Sequence, residues 1–292
     1  MLGKNTSIYK GWVTEQLRYK NMPKTLDVIN LGSSCDANDF DYDLWDVDGF
    51  NFASAPQDVY YDNQLLEQYG IQVRPGGIVF ISLSEFALLV DKYDIEDHNY
   101  KYYWYLDSSR IANYTEKKQW MLYHCPGLLD KKYLTQEIKR SVKKLLRYDR
   151  RNQNRNVNIS TQSKKMLDNW FHEFGWDEGC ILRDNQRNAI YRSWNLIQKD
   201  ISFCKEHGLV PVVVIPPFAK DLINLLPKNI LNECLWKYIH ILEHNGIRVI
   251  NFWENEAFLL EELYVSPILL NDLGKKKFNC FLQRSVGMET KL

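Results

Sequence analysis

The stretch from Asp27 to Phe40, DVINLGSSCDANDF, runs from an apolar strand pattern into two small hydroxyls. A strand that ends in Gly32-Ser33-Ser34 has two readings. It is a tight turn whose serine caps the segment that follows. Or it presents a serine for chemistry, with backbone N–H groups beside it to hold an oxyanion. The stretch alone leaves both open, and the rest of the chain has to weigh them.

Four short runs rich in Val and Ile fit buried parallel strands: 26–31 (LDVINL), 77–83 (GIVFISL), 209–217 (LVPVVVIPP) and 247–252 (IRVINF). A weaker fifth is GFNFAS at 49–54. Helical patterns separate them at 57–69, 187–207, 227–245 and 271–283, the last with Asn271 and Asp272 as caps. This alternation predicts a three-layer α/β/α sandwich with a parallel sheet of about five strands, run 26–31 at its centre. Ligands of such sheets bind beyond the carboxyl ends of the strands. Ser33-Ser34, Ser84-Glu85 and Pro216-Pro217 all fall at such ends.

Residues 92–186 interrupt the alternation. They are aromatic at first (HNYKYYWYLD), then basic, then polar with Trp170 and Trp176 in NWFHEFGWDEG. The segment reads as a mainly helical insertion that caps the carboxyl edge of a single domain spanning 1–292. Its two tryptophans suit either the insertion's own core or stacking on a sugar ring. The run Lys139–Arg155 holds eight Lys/Arg against one acid, Asp149. A solvated helix face accounts for it, as does contact with an anionic glycan, a nucleotide or a lipid headgroup.

Composition narrows the function. Lys+Arg and Asp+Glu both number 37, so no global field points to nucleic acid. The six cysteines (Cys35, Cys125, Cys180, Cys204, Cys234, Cys280) are scattered, with neither a CxxC pair nor metal-ligand spacing. They read as reduced thiols of a cytoplasmic protein. The N-terminal stretch lacks an apolar core of signal-peptide length, and no window approaches the roughly 18 apolar residues of a membrane span. Neither a cofactor nor a metal is expected. A homodimer is compatible with this composition.

The blocks NLGSS, GFNFASAPQDVYYDNQLLEQY, VRPGGIVFISLSEF, VVVIPPF and NDLGKKKF occur in that order. Together they resemble the SGNH (GDSL-type) hydrolase superfamily, in particular the branch similar to bacterial polysaccharide O-acetyltransferases and the teichoic-acid D-alanine transfer protein. The resemblance covers roughly 24–90 and 187–283. It implies a flavodoxin-like sandwich with Ser34 as nucleophile, its own amide and one from the loop Ala53–Gln57, near Ala55, forming the oxyanion hole. It implies acyl transfer or ester hydrolysis in surface-polysaccharide or capsule biosynthesis, with a glycan precursor as partner and an unassigned acyl donor.

Two positions depart from that pattern. The family carries an asparagine where this chain has Glu85, and a carboxylate beside a developing oxyanion is unfavourable. Aligning the family's closing Asp-x-x-His-Leu-Asn on LNDLGKKKF puts Ser266 at the aspartate and Leu269 at the histidine. Leu269 cannot move a proton, so the base pair is missing. His124, in the loop-like YHCPG, is the substitute base expected from the insertion, ahead of His98 and His172. His207, His240 and His244 fall near helix ends. Cys35 is either a thiol nucleophile or a buried inert thiol. The sequence therefore supports a serine-dependent acyltransferase or esterase, or a pseudoenzyme of the same fold that binds a glycan or a partner.

Overall fold

A computed structural model describes residues 7–90, 96–126, 158–176 and 181–288. The basic run Lys139–Arg155 lies outside them, as do Cys180 and the side chain of His98. The chain divides into two compact units, one of Met1–Met22 with Glu96–Asn156, the other of Pro23–Ile95 with Val157–Leu292. The division runs through the segment 92–186: Glu96–Asn156 belongs to the smaller unit, and both ends of the segment belong to the larger.

The larger unit holds a five-stranded sheet: β1 Leu26–Leu31, β2 Gly49–Asn51, β3 Val73–Ser82, β4 Val210–Ile215 and β5 Arg248–Asn251. Its order is β2-β1-β3-β4-β5, and every neighbouring pair is parallel. The central strand is therefore β3, and β1 stands next to the edge, a correction to the expectation from the sequence. The chain leaves β1 toward β2 on one side and returns to β3 on the other. That reversal makes the gap between the ends of β1 and β3 the topological switch point of the sheet.

Both faces are covered. Val28, Ile78, Phe80, Val212, Val214 and Ile250 share one face by strand parity and pack with Phe40, Trp45, Phe252, Phe258, Phe278 and Leu282 in one cluster. Their alternates Ile29, Leu31, Val79, Ile81, Val213 and Ile215 are buried on the opposite face. The helices are α1 Ser7–Lys20, α2 Ser34–Asp39, α3 Val59–Tyr69, α4 Glu116–His124, α5 Ile159–Phe174, α6 Asp184–Glu206, α7 Lys220–Leu225, α8 Lys228–Leu231, α9 Lys237–His244 and α10 Asp272–Ser285. A π-helical turn, Asn232–Trp236, joins α8 to α9, so the pattern at 227–245 is continuous but locally under-wound. Helix α3 packs against α6, and α5 against α7.

Asn271 caps α10 as its position suggests, its Oδ1 accepting the Gly274 N–H at 3.0 Å. Gly274 is required there, because a Cβ would overlap the Leu263 carbonyl. Further along α10, buried Asn279 fastens the helix to the segment after α2. Its Oδ1 accepts from the Asp41 N–H (3.1 Å) and the Trp45 indole (2.8 Å), and its Nδ2 donates to the Asp39 carbonyl (2.8 Å).

The smaller unit is built on aromatic contacts. Tyr19 of α1 stacks on Tyr105 with centroids 4.0 Å apart. Trp104 meets Tyr123 of α4 edge-on at 4.6 Å, and the Tyr123 hydroxyl donates to the Tyr103 carbonyl. Helix α1 has no counterpart among the expected elements, since its apolar positions are too sparse to mark a face. Among the described residues no helix is long and apolar enough to cross a membrane.

Replacing Asn279 by Leu strands two buried donors and a carbonyl while keeping the volume. Each orphaned buried group costs about 1–3 kcal/mol, so Asn279→Leu should lower unfolding free energy by about 2–5 kcal/mol. Urea denaturation at constant m-value checks this.

Candidate functional site

Strand β1 is apolar to its last residue, and the chain then has to turn out of the sheet within one residue. Gly32 does so at φ +138°, a conformation that side chains rarely adopt, in a place where a Cβ would overlap the Asp36 carboxyl. The Gly32 N–H donates to Asp62 Oδ1 on α3 at 2.9 Å. Ser33 follows as the N-cap of α2, and its N–H donates to Asp36 Oδ2 at 3.0 Å. The Ser33 hydroxyl accepts the Gln57 N–H at 3.1 Å. Ser33 is thus committed to holding the turn.

Ser34 opens α2, half-buried, and lines a cavity of about 260 Å³ at the switch point. Among the described residues nothing hydrogen-bonds its hydroxyl. The cavity also takes Cys35, Asp36, Ser82, Ser84 and Glu85 from the ends of β1 and β3, Asp62 from α3, and Trp170, Glu173 and Phe174 from α5. Phe86 lines it as well and meets Trp170 edge-on at 5.2 Å and Trp176 at 5.0 Å. The lining is therefore partly hydroxyls and carboxyls and partly aromatic. Helix α5 is the part of the segment 92–186 that borders the cavity.

The carboxyls are buried without a cationic partner. Burial raises Asp36 to about 6, pulled back by the adjacent Ser82 hydroxyl and the Ser33 N–H. Burial also raises Asp62 to about 7, against the hydrogen bonds from the Gln57 side chain and the Gly32 N–H. Glu85 is 7% exposed, and burial raises it to about 7; its Oε2 has no hydrogen-bond partner. Next to the cavity, burial raises Asp39 to about 8. Cys35 is buried, and desolvation and then Asp36 push its thiol well up, which leaves it a thiol rather than a nucleophilic thiolate.

The remaining positions resolve as follows. Ala55 is exposed and does not line the cavity, and the Ala55–Pro56 peptide is cis. The loop amide that reaches the turn is that of Gln57, which corrects the placement near Ala55. Ser266 and Leu269 pair in a small antiparallel hairpin, β6 Tyr264–Ser266 and β7 Leu269–Leu270. The hairpin residue that borders the cavity is Ile268, not Leu269. Either way an aliphatic side chain stands where the resemblance implies a base. His124 belongs to the smaller unit, is exposed, stacks on Trp120, and its Nδ1 bonds to that residue's carbonyl at 2.8 Å. His172, His207, His240 and His244 are exposed too, and the cavity lining contains no histidine. Pro216 and Pro217 do not line the cavity, whereas Phe218 after them does. Among the described residues no group of three or more His, Cys, Asp or Glu is placed to hold a metal ion.

Asp36 and Asp62 were not singled out from the sequence. Asp36 had a readable signal: Ser33-x-x-Asp36 is the spacing of a capping box. Asp62 had none, since a carboxylate in the first turn of a helix is ordinarily solvated.

No family model matches the chain, and no curated protein matches it in sequence. Solved structures similar to it include a GDSL-like lipase from Bacteroides thetaiotaomicron, 9% identical, with a TM-score of 0.44 over 96% of this chain and 97% of that one. Another is a candidate acylhydrolase from Bacteroides fragilis, 10% identical, with a TM-score of 0.43 over 93% of each chain.

The buried carboxyls set a pH dependence. A raised folded pKa means that the folded state holds its proton where the unfolded chain, near pH 4, has released it. Stability is then fully present below about pH 4 and falls as pH rises through the folded values of 6 to 8. Thermal unfolding should show a higher midpoint at about pH 5.5 than at about pH 8. Asp39→Asn keeps the acceptor for the Leu270 N–H and should flatten the upper part of that slope.

Proposed function

We propose that this chain is a catalytically degenerate SGNH-like protein of surface-polysaccharide biosynthesis, whose cavity binds a glycan precursor. The carrying observation is the make-up of the cavity. Serines and carboxyls share the lining with the aromatic rings of Phe86, Trp170 and Phe174, and no histidine lies among the lining residues. Hydroxyl and carboxyl groups suit a polyhydroxylated ligand, and aromatic faces suit the apolar side of a sugar ring. Acyl transfer asks for more. A serine needs a base within hydrogen-bond reach, and positioned proton transfer contributes roughly 10²–10⁴-fold. Ser34 has no such partner, and Asp36, two residues on, already receives the Ser33 N–H.

The second reading, an active serine acyltransferase or esterase, is favoured by one specific feature. Ser34 stands at the start of a helix at the carboxyl edge of β1, beside the loop that includes Gln57, whose N–H bonds the neighbouring Ser33 hydroxyl. The two readings part on chemistry. In the first, a fluorophosphonate leaves Ser34 unlabelled at neutral pH, and hydrolysis of a small acetyl ester stays at background and is unchanged in Ser34→Ala. Hydrolysis that disappears in Ser34→Ala decides for the second. Binding is read by ligand-observed NMR with glucose and N-acetylglucosamine, and Ala87→Trp, which puts a large ring into the cavity, should abolish it.

A further inference from the structure

The cavity lining carries four acids, Asp36, Asp62, Glu85 and Glu173, and no Lys, Arg or His. Two of the four already have work within the fold. Asp62 Oδ1 accepts the Gly32 N–H and the Gln57 side-chain amide, and Asp36 Oδ2 accepts the Ser33 N–H. Glu173 is exposed on α5. Asp36 Oδ1 and Glu85 Oε2 are both buried without a hydrogen-bond partner, but the other oxygen of Asp36 holds the turn through the Ser33 N–H, whereas Glu85, 7% exposed, lines the cavity at the end of β3. A buried carboxyl oxygen without a donor is an unmet demand, normally satisfied by protein, water or ligand.

The sign of the surroundings decides what meets it. Negative charge in the cavity wall is uncompensated, and charges out of solvent are screened little by salt. Phosphates, nucleotides and free carboxylates are therefore disfavoured. A primary ammonium group brings three N–H donors and the opposite charge. The aromatic rings add a second attraction, since a cation near the face of Trp170 or Phe86 is favoured. The Ser34 hydroxyl remains for a neighbouring hydroxyl of the ligand.

From this juxtaposition we infer that the cavity selects a ligand bearing a primary ammonium group beside hydroxyls, the chemistry of an amino sugar without its N-acetyl group, with Glu85 as its counter-ion. The inference deepens the glycan-binding reading and rests on it for the sugar, but not for the amine.

The test compares glucosamine, N-acetylglucosamine, glucose and ethanolamine as probes of the full chain by NMR titration at about pH 7.5, where an amino sugar is still largely charged. Glucosamine should bind about tenfold more tightly than the two neutral sugars, the weight of one charge-assisted contact. Glu85→Gln, nearly isosteric, should erase that difference. Equal binding of glucosamine and N-acetylglucosamine by the unmodified protein overturns the inference and leaves glycan binding standing. So does a preference that survives Glu85→Gln. Ethanolamine binding that is lost in Glu85→Gln, with no sugar bound, upholds the amine and removes the glycan. If none of the four probes binds, both fall. The comparison within the unmodified protein decides the matter even if Glu85→Gln fails to fold.

Discussion

The hydrogen bond from the Gly32 N–H to Asp62 Oδ1, 2.9 Å long and buried, is the point from which the carboxyl edge of the sheet is organised. The same carboxyl oxygen accepts the Gln57 side-chain amide at 2.7 Å, and that amide nitrogen also reaches the Gly32 and Phe52 carbonyls at 3.1 Å. Three segments meet there: the turn after β1, the loop after β2 and the first turn of α3. With Gln57 fixed by its side chain, its backbone N–H is aimed at the Ser33 hydroxyl. Without Asp62, two buried donors would lose their acceptor at once. A donor left unsatisfied out of water costs far more than an ordinary hydrogen bond contributes. The turn is thus specified by a carboxyl brought from 30 residues away.

That arrangement has an electrostatic consequence. Asp36, Asp39, Asp62 and Glu85 are buried with no cation among the residues that line the cavity, so desolvation goes largely uncompensated and all four hold their protons toward neutral pH. Hydrogen bonds offset part of the cost for Asp36, Asp62 and Glu85 alike, while Glu85 Oε2 itself has no partner. The surface pairs, such as Arg74 with Asp27 at 2.8 Å, lie elsewhere and contribute little. Charge in this protein is balanced over the chain and unbalanced at the site.

How much of this could be read from the sequence follows from range. The strands were legible because each is a continuous apolar run, and both faces of a covered parallel sheet demand that. The Asn271 cap was legible because capping is local. Strand order was not. Placing β1 at the centre treats the first strand as a hub, whereas the return from β2 to β3 makes β3 the hub. Ser34 and Glu85 were marked by their places after strands, but the partners that define their surroundings come from afar: Asp62 from α3, Trp170 from α5 and Ile268 from the hairpin. The hairpin side chain that borders the cavity is one residue from the aligned position, because Ile268 sits in the turn before β7 while Leu269 is paired in the ladder.

On the proposed reading the missing base matters more than the carboxyl beside the oxyanion position, and Glu85 shows why. A carboxyl raised to about 7 is part protonated at neutral pH, and a protonated carboxyl donates a hydrogen bond as an amide does. Replacement of a neutral donor by glutamate is therefore no bar to stabilising an oxyanion while the proton stays on. A cation near Glu85 favours the ionised form and turns the same group into an acceptor. Each role excludes the other at any instant, and what the cavity holds sets the choice. For acyl transfer the donor role has value only if Ser34 can also lose its proton, and neither Ile268 nor Leu269 can take it. The acceptor role requires nothing of Ser34. The acceptor role is therefore the one that the proposed glycan-binding reading uses, and it asks nothing of the hairpin that carries Ile268.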